Sequence, residues 1–178
     1  MKNILLHACC APCSAAVVEW LLQNDYSPTL FFYNPNIYPQ EEYETRKAEL
    51  SKYAQKLNLS VIDGDYTHDK WLCAVKGLEQ EPERGSRCFE CFKERLVVSA
   101  HKATETGISL FTTTLASSRW KNLEQISQAG KWAAAQVPSV EFWDKNWRKD
   151  GLQQRRSELL QANKFYNQRY CGCEFSFR

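Results

Sequence analysis

Three cysteines fall within five residues, Cys9-Cys10-Ala11-Pro12-Cys13, between a short apolar run, Ile4-Leu5-Leu6, and an apolar-periodic stretch that opens at Ser14. The run reads as a buried strand over 3–8. The stretch reads as a helix over 14–24, with Ala15, Val17, Val18, Leu21 and Leu22 on one stripe. Open α/β sheets place their chemistry where a strand ends and a helix begins. Thiols crowded at such a junction bind or react with something. Adjacent cysteines on an extended backbone point to opposite sides, so Cys9 and Cys10 share one centre only if the chain turns there.

The alternation continues along the chain. Further strands are expected over 29–33, 59–62, 109–113 and 140–143, and helices over 41–58, 68–78, 88–107, 122–136 and 153–163. Strands that alternate with helices predict an α/β fold, an open parallel sheet of about five strands with helices on both faces. At 178 residues the chain is expected to form a single domain over 1–178. Asn34-Pro35-Asn36 ends the second strand in a turn. A polar loop over 79–87 delivers Cys88, and a basic polar loop over 144–152 carries Lys145, Arg148 and Lys149. The C-terminal helical segment and the Cys171/Cys173 tail are expected to fold back on the site at Cys9.

Eight cysteines would suggest disulfides in a small secreted domain. Here the apolar stretch before His7 is too short for a signal-peptide core, and no long uncharged apolar run is present. A cytoplasmic protein with no membrane contact is therefore expected. In that setting clustered cysteines read as metal ligands or redox groups. The net charge of +2 demands no polyanionic partner, but from Arg119 onward 11 Lys/Arg face 6 Asp/Glu. That basic third permits a nucleic-acid contact, but on charge alone a solvated surface is the favoured reading.

Cys10-Ala-Pro-Cys13 has the form of a thioredoxin-like dithiol at a helix start. Cys88-Phe-Glu-Cys91 is a second pair of the same spacing. Two such pairs are the usual way to enclose zinc or an iron–sulfur cluster, and spacing does not choose between those. Cys171-Gly-Cys173 reads as a labile redox pair, as ligands of a second metal, or as free tail thiols. Cys73, beside Leu72 and Ala74 in a helix, reads as a packed small hydrophobe. His7 reads as a satisfied core histidine.

Tyr38 and Tyr43 offer stacking surfaces for a base, although core packing is commoner for aromatics. Arg46, Arg84, Arg87 and Arg95 suit a phosphate, a thiolate centre or plain surface solubility. Thr112-Thr113-Thr114 offers hydroxyls to a ligand, and Asp63, Asp65, His68 and Asp69 offer acid–base groups. The first strand-to-helix turn has no glycine, which weighs against a dinucleotide or P-loop site.

Taken together, the motifs resemble the QueH-type epoxyqueuosine reductases over essentially the whole chain. The resemblance rests on Leu6-His-Ala-Cys-Cys-Ala-Pro-Cys13, Phe32-Tyr-Asn-Pro-Asn-Ile-Tyr-Pro39, Glu42-Tyr43 with Arg46, Arg87-Cys-Phe-Glu-Cys-Phe92 with Arg95-Leu96, Phe111-Thr-Thr-Thr-Leu115 and Tyr170-Cys-Gly-Cys173. It implies a Rossmann-like (HUP-like) fold. It also implies two-electron deoxygenation of epoxyqueuosine to queuosine at the tRNA wobble position, in a queuosine-type anticodon loop, with an electron donor left unnamed. It implies a 4Fe-4S cluster held by Cys9, Cys10, Cys88 and Cys91. Cys171 and Cys173 are then a redox-active dithiol, and Cys13 a ligand of a second iron or zinc ion with a share in catalysis. For such a reaction Asp65 or His68 is expected to supply protons. The basic third, including Arg119, Lys121, Lys145, Arg148, Lys149, Arg155, Arg156 and Arg169, is expected to track the tRNA backbone. Two other functions compete: a thiol-disulfide oxidoreductase built on Cys10-Ala-Pro-Cys13, and a zinc-binding RNA-binding module without catalysis.

Overall fold

A computed structural model describes residues 1–176. The last two positions of the expected domain lie outside the described residues. The chain folds into a five-stranded sheet in the order β3-β2-β1-β4-β5, with every pair parallel. The strands are β1 (Lys2–His7), β2 (Tyr26–Phe32), β3 (Val61–Asp63), β4 (Leu110–Thr113) and β5 (Glu141–Phe142). The helices are α1 (Ala11–Gln23), α2 (Gln40–Lys56), α3 (His68–Ala74), α4 (Ser86–Glu105), α5 (Leu123–Gln136) and α6 (Leu152–Ala162). Helices α1, α2 and α6 pack together; α4 and α5 form the other main group, with α3 against α4. The strand order reverses at β1, whose neighbours are β2 and β4. A Rossmann-like sheet binds its ligand at that reversal.

The central strands are buried on both faces, as parallel strands under helices must be: Ile4, Leu5, Leu6, Leu30, Phe32 and Phe111 have no exposed surface. β2 starts at Tyr26, three residues before the expected strand, and includes Pro28. The reason is positional. Leu30 N–H donates across to Ser60 O on the β3 side, so the missing N–H of Pro28 points the same way. β3 begins only opposite Leu30, so no ladder bond is lost there.

Helix α1 starts at Ala11 rather than Ser14 because Pro12 falls in its first turn, where a missing N–H has no helical partner to lose. The expected helix over 68–78 stops at Ala74. On α2, Tyr43, Leu50, Tyr53 and Ala54 face inward as expected, but Leu57 is 36% exposed because the helix has already ended. No helix of the described residues is long and apolar enough to cross a membrane.

Candidate active site

Both Cys-x-x-Cys pairs lie at helix N-termini, which favour thiolates electrostatically. Cys10 is the N-cap of α1, in extended conformation, and the chain turns there. The turn brings the sulfurs of Cys9, Cys10 and Cys13 within 4.8 Å of one another, all buried. Cys9 is clasped by the end of β4: its amide donates to Thr114 Oγ1 at 3.1 Å, and that hydroxyl donates to Cys9 Sγ at 3.3 Å. The clasp joins the chain just past β1 to the chain just past β4, at the reversal of the sheet.

Helix α4 opens at Ser86 and carries Cys88 and Cys91 in its first two turns. The Arg84 amide donates to Cys88 Sγ at 3.3 Å, and Arg95 Nη1 donates to Cys91 Sγ at 3.9 Å. The C-terminal pair arrives from across the molecule. Cys173 is bridged to Ile37, and Tyr38 N–H donates to Gly172 O at 2.9 Å. Arg46 donates to the carbonyls of Tyr170 and Cys171, each at 3.2 Å. Gly172 sits at φ +108°, and a Cβ there would meet Ile37 Cγ1 at 2.9 Å. Glycine is therefore required between the two thiols.

A cavity of about 940 Å³ is lined by Cys88, Cys91, Cys171 and Cys173. A smaller one of about 230 Å³ is lined by Cys9, Cys13 and Cys171. Cys171, Tyr170, Trp120 and Lys121 line both. The cysteine sets thus occupy adjoining cavities with Cys171 common to the two.

A positive surround accompanies the thiols. Arg46, Arg87 and Arg95 are each 2% exposed. Arg46 pairs with Glu42 at 2.7 Å. Arg87 and Arg95 have no carboxylate within 4.0 Å among the described residues; Arg87 donates to the carbonyls of Leu78, Glu79 and Glu81, and Arg95 to Asn34. Arg156 Nη2 lies 3.9 Å from Cys13 Sγ. The donor thiols of Cys10 and Cys13 hold Cys9 well below the usual thiol range, while burial first of all pushes Cys10 well above it. Cys10 pulls Cys13 down, but Cys9 and burial outweigh this and raise it to about 11. Cys171 is held low by its hydrogen bond with Cys173, with help from Lys121. Cys9 and Cys171 are thus the thiols shifted toward ionisation, whereas burial first of all raises Cys88.

The sequence profile described as "Epoxyqueuosine reductase QueH" matches residues 4–178. A protein from Acinetobacter baylyi is 47% identical over 176 residues, covering 99% of this chain and 81% of the relative. One from Haemophilus influenzae is 46% identical over 177 residues, covering 99% and 72%. One from Thermotoga maritima is 37% identical over 179 residues, covering 99% and 91%. All three carry the name epoxyqueuosine reductase QueH. The chain belongs to the QueH family.

In a QueH protein this donor set suggests a metal centre, and the geometry fits one. A buried guanidinium without a carboxylate is stabilised by several carbonyl acceptors, as Arg87 is, or by another anion beside it. Metal-bound thiolates would supply that charge to Arg95, beside Cys91, while Arg156 stands against Cys13. Among the described residues, Cys9, Cys10 and Cys13 are the one set of three or more metal-ligating side chains that closes within 4.8 Å. Cys88 and Cys91 line the neighbouring cavity and do not join that triangle.

Other expected residues have other places. His7 is a satisfied core histidine: Nε2 donates to Tyr33 O at 3.0 Å, so Nδ1 accepts from Thr113 Oγ1 at 2.8 Å. Burial, then Arg95, holds its pKa down at about 3, so the ring is neutral. Tyr43 is core, whereas Tyr38 is 46% exposed. Thr112 bonds Trp143 O and Trp147 Nε1, a structural role; Thr114 is the hydroxyl that reaches a thiol. His68 ties Pro35 O to Glu174, and Asp63 pairs with Lys47. Asp65 and Asp69 are exposed, and none of these four lines either cavity. Cys73 is exposed rather than packed, because the inward face of short α3 is taken by Trp71, with Val75 just past its end.

The basic third divides. Arg155 pairs with Glu19 and Glu158, Arg148 holds the carbonyls of Ser118 and Lys121, and Lys145 lies 4.2 Å over the Trp20 ring. Lys121 and Arg156 turn toward the thiols. Nothing in residue spacing signals that, because these contacts span most of the chain.

Proposed function

We propose that this QueH chain is an epoxyqueuosine reductase, removing the epoxide oxygen from epoxyqueuosine at the wobble position of tRNA to give queuosine. The step takes up two electrons and two protons and releases the oxygen as water. The observation that carries the reading is the meeting of the separate cysteine motifs on two adjoining cavities that share Cys171. Family membership supports it. The competing readings find no such support. A dithiol oxidoreductase needs Cys10 and Cys13 alone, and a zinc-stabilised RNA module needs no thiol in a cavity.

Cys9, Cys10, Cys88 and Cys91 would hold a 4Fe-4S cluster, with Cys13 left for a second iron or zinc ion. Such a centre, when bound, would relay electrons and supply a Lewis acid.

The chain's own residues do the rest. Cys171 and Cys173 form a dithiol whose oxidation to a disulfide releases two electrons and two protons, the amounts the deoxygenation requires. Arg46 and the Ile37 bridge fix that dithiol in the cavity wall. Lys121 favours the Cys171 thiolate. A disulfide across a single residue is strained and readily reduced again by an external donor. The larger cavity accepts the splayed nucleotide, with Trp71 and Tyr170 in its wall. Anticodon loops are single-stranded, so stacking and phosphate contacts suffice for recognition. A cytoplasmic location goes with such a substrate.

The test is anaerobic purification, a visible spectrum, an iron and sulfide count, and turnover of an anticodon stem-loop RNA containing epoxyqueuosine. The expected result is a coloured protein with about four irons and four sulfides in its cluster that yields queuosine. A colourless chain with full activity overturns the cluster, and a coloured chain that leaves the epoxide intact overturns the reaction.

A further inference from the structure

Five consecutive backbone carbonyls, those of residues 117–121, each accept a hydrogen bond from a side chain elsewhere in the fold. Gln153 Nε2 donates to Ser117 O at 2.7 Å. Arg148 Nη2 donates to Ser118 O, and to Lys121 O at 2.7 Å. Arg84 donates through Nη2 to Arg119 O at 3.1 Å and through Nε to Trp120 O at 2.8 Å. The segment leaves the interior at the buried Ser117 and Ser118 and reaches the surface at Arg119 and Trp120, where loops ordinarily leave such groups to water and stay mobile. This one is gripped at every residue, mostly by charge-assisted bonds.

Arg84 extends the grip to the thiols. Its amide donates to Cys88 Sγ at 3.3 Å, and its carbonyl accepts from Gln125 Nε2 at 2.9 Å. Its backbone stands at φ +67°, a conformation that a residue with a side chain keeps only when its surroundings enforce it. The loop is thus fixed relative to Cys88.

What the loop holds out is an indole between two cations. Trp120 is 46% exposed and lines both cavities. Arg119 is exposed beside the smaller cavity, and Lys121 lines both. A flat aromatic face at a cavity mouth, flanked by positive charge, is the surface on which single-stranded nucleic acid stacks. Fixing it in advance lowers the ordering cost of binding.

We propose that Trp120 is a stacking platform for an unpaired base of the anticodon loop beside the nucleotide held in the larger cavity, with Arg119 on the adjoining phosphate. This rests on the tRNA reading above and adds the residues that recognise the loop.

The experiment compares wild-type holoenzyme with Trp120→Ala, Trp120→Phe and Arg119→Ala by fluorescence anisotropy on a labelled anticodon stem-loop and on a duplex RNA of equal length. Melting temperatures confirm folding. Trp120→Ala weakens stem-loop binding by roughly five- to 150-fold, the range expected for one stacked base. The duplex is unaffected, and Trp120→Phe recovers most of the loss. Arg119→Ala lowers the salt slope by about one. A Trp120→Ala protein that binds the stem-loop within about twofold of wild type, or that loses duplex binding equally, overturns the proposal. If the wild type binds through Trp120 yet leaves epoxyqueuosine unreduced, the reductase reading falls and this one stands. If it reduces the nucleotide and Trp120→Ala binds normally, the reverse holds.

Discussion

Arg95 reaches from helix α4 to Asn34, two residues past the end of β2, its Nη2 donating to Asn34 Oδ1 at 2.6 Å. Asn34 in turn donates through Nδ2 to Ala8 O at 3.0 Å, one residue before Cys9. Through its other Nη atom Arg95 touches Cys91. Two side chains therefore hold the first cysteine motif in register with the second, and both are buried.

Asn34→Ala should cost about 1.5–3 kcal/mol, because it strands a hydrogen-bonded guanidinium in the core. Arg95→Lys should lose the forked geometry while keeping the charge, and should lower iron per chain. Thermal melts and metal analysis check the two effects. An Asn34→Ala protein with unchanged melting temperature would show that the relay carries no weight.

Serine substitutions should separate ligands from the redox pair. Cys9→Ser, Cys10→Ser, Cys88→Ser and Cys91→Ser should each lose visible absorption together with activity. Cys171→Ser and Cys173→Ser should stay coloured and become inactive. Loss of colour in Cys171→Ser would move that residue into the ligand set.

Gly172→Ala should displace the tail, since the added Cβ has no room against Ile37 and the backbone stands at positive φ. A displacement on the order of 1 Å at reacting groups costs about a hundredfold in rate. Steady-state turnover reads it, and the sheet core should melt nearly as before. Normal turnover would mean that the tail geometry is immaterial to the reaction.

Binding of anticodon stem-loop RNA should weaken between about 50 and 200 mM salt, as phosphate contacts require. The structure narrows the contributors. Lys149→Ala and Arg169→Ala should each reduce the slope by about one, whereas Arg155→Ala should not, because its guanidinium is already engaged by Glu19 and Glu158. A salt-independent affinity would remove the electrostatic footprint altogether.

Cys73→Ser should change stability by no more than about 0.5 kcal/mol, the ordinary range for an exposed site. A denaturant titration decides it. A loss of 2 kcal/mol or so would return Cys73 to the packed role its apolar neighbours suggest.

Much of the fold was legible because it is written locally. The runs Ile4-Leu5-Leu6 and Leu30-Phe31-Phe32 announce buried strands, and the stripe on α1 announces its helix. The errors arose where a local sign was ambiguous. The first helix and the second strand were expected to start at Ser14 and Thr29, but both start earlier and take in Pro12 and Pro28, each of which sits where its missing N–H has no partner to lose. Cys73 looked like core because Leu72 and Ala74 flank it, yet a short helix buries only one face.

What the sequence by itself determined was the alternation of strand and helix and the presence of thiols at two helix starts, since periods of 2 and 3.6 depend only on near neighbours. Tertiary structure alone decided which groups meet: Thr114 with Cys9, Arg156 with Cys13, Arg95 with Asn34, and Cys171 with both cavities. Those meetings follow from the strand order β3-β2-β1-β4-β5 and from how α4, α6 and the tail pack. Such packing sums many weak contacts between residues far apart in the chain, and no short window of sequence contains them.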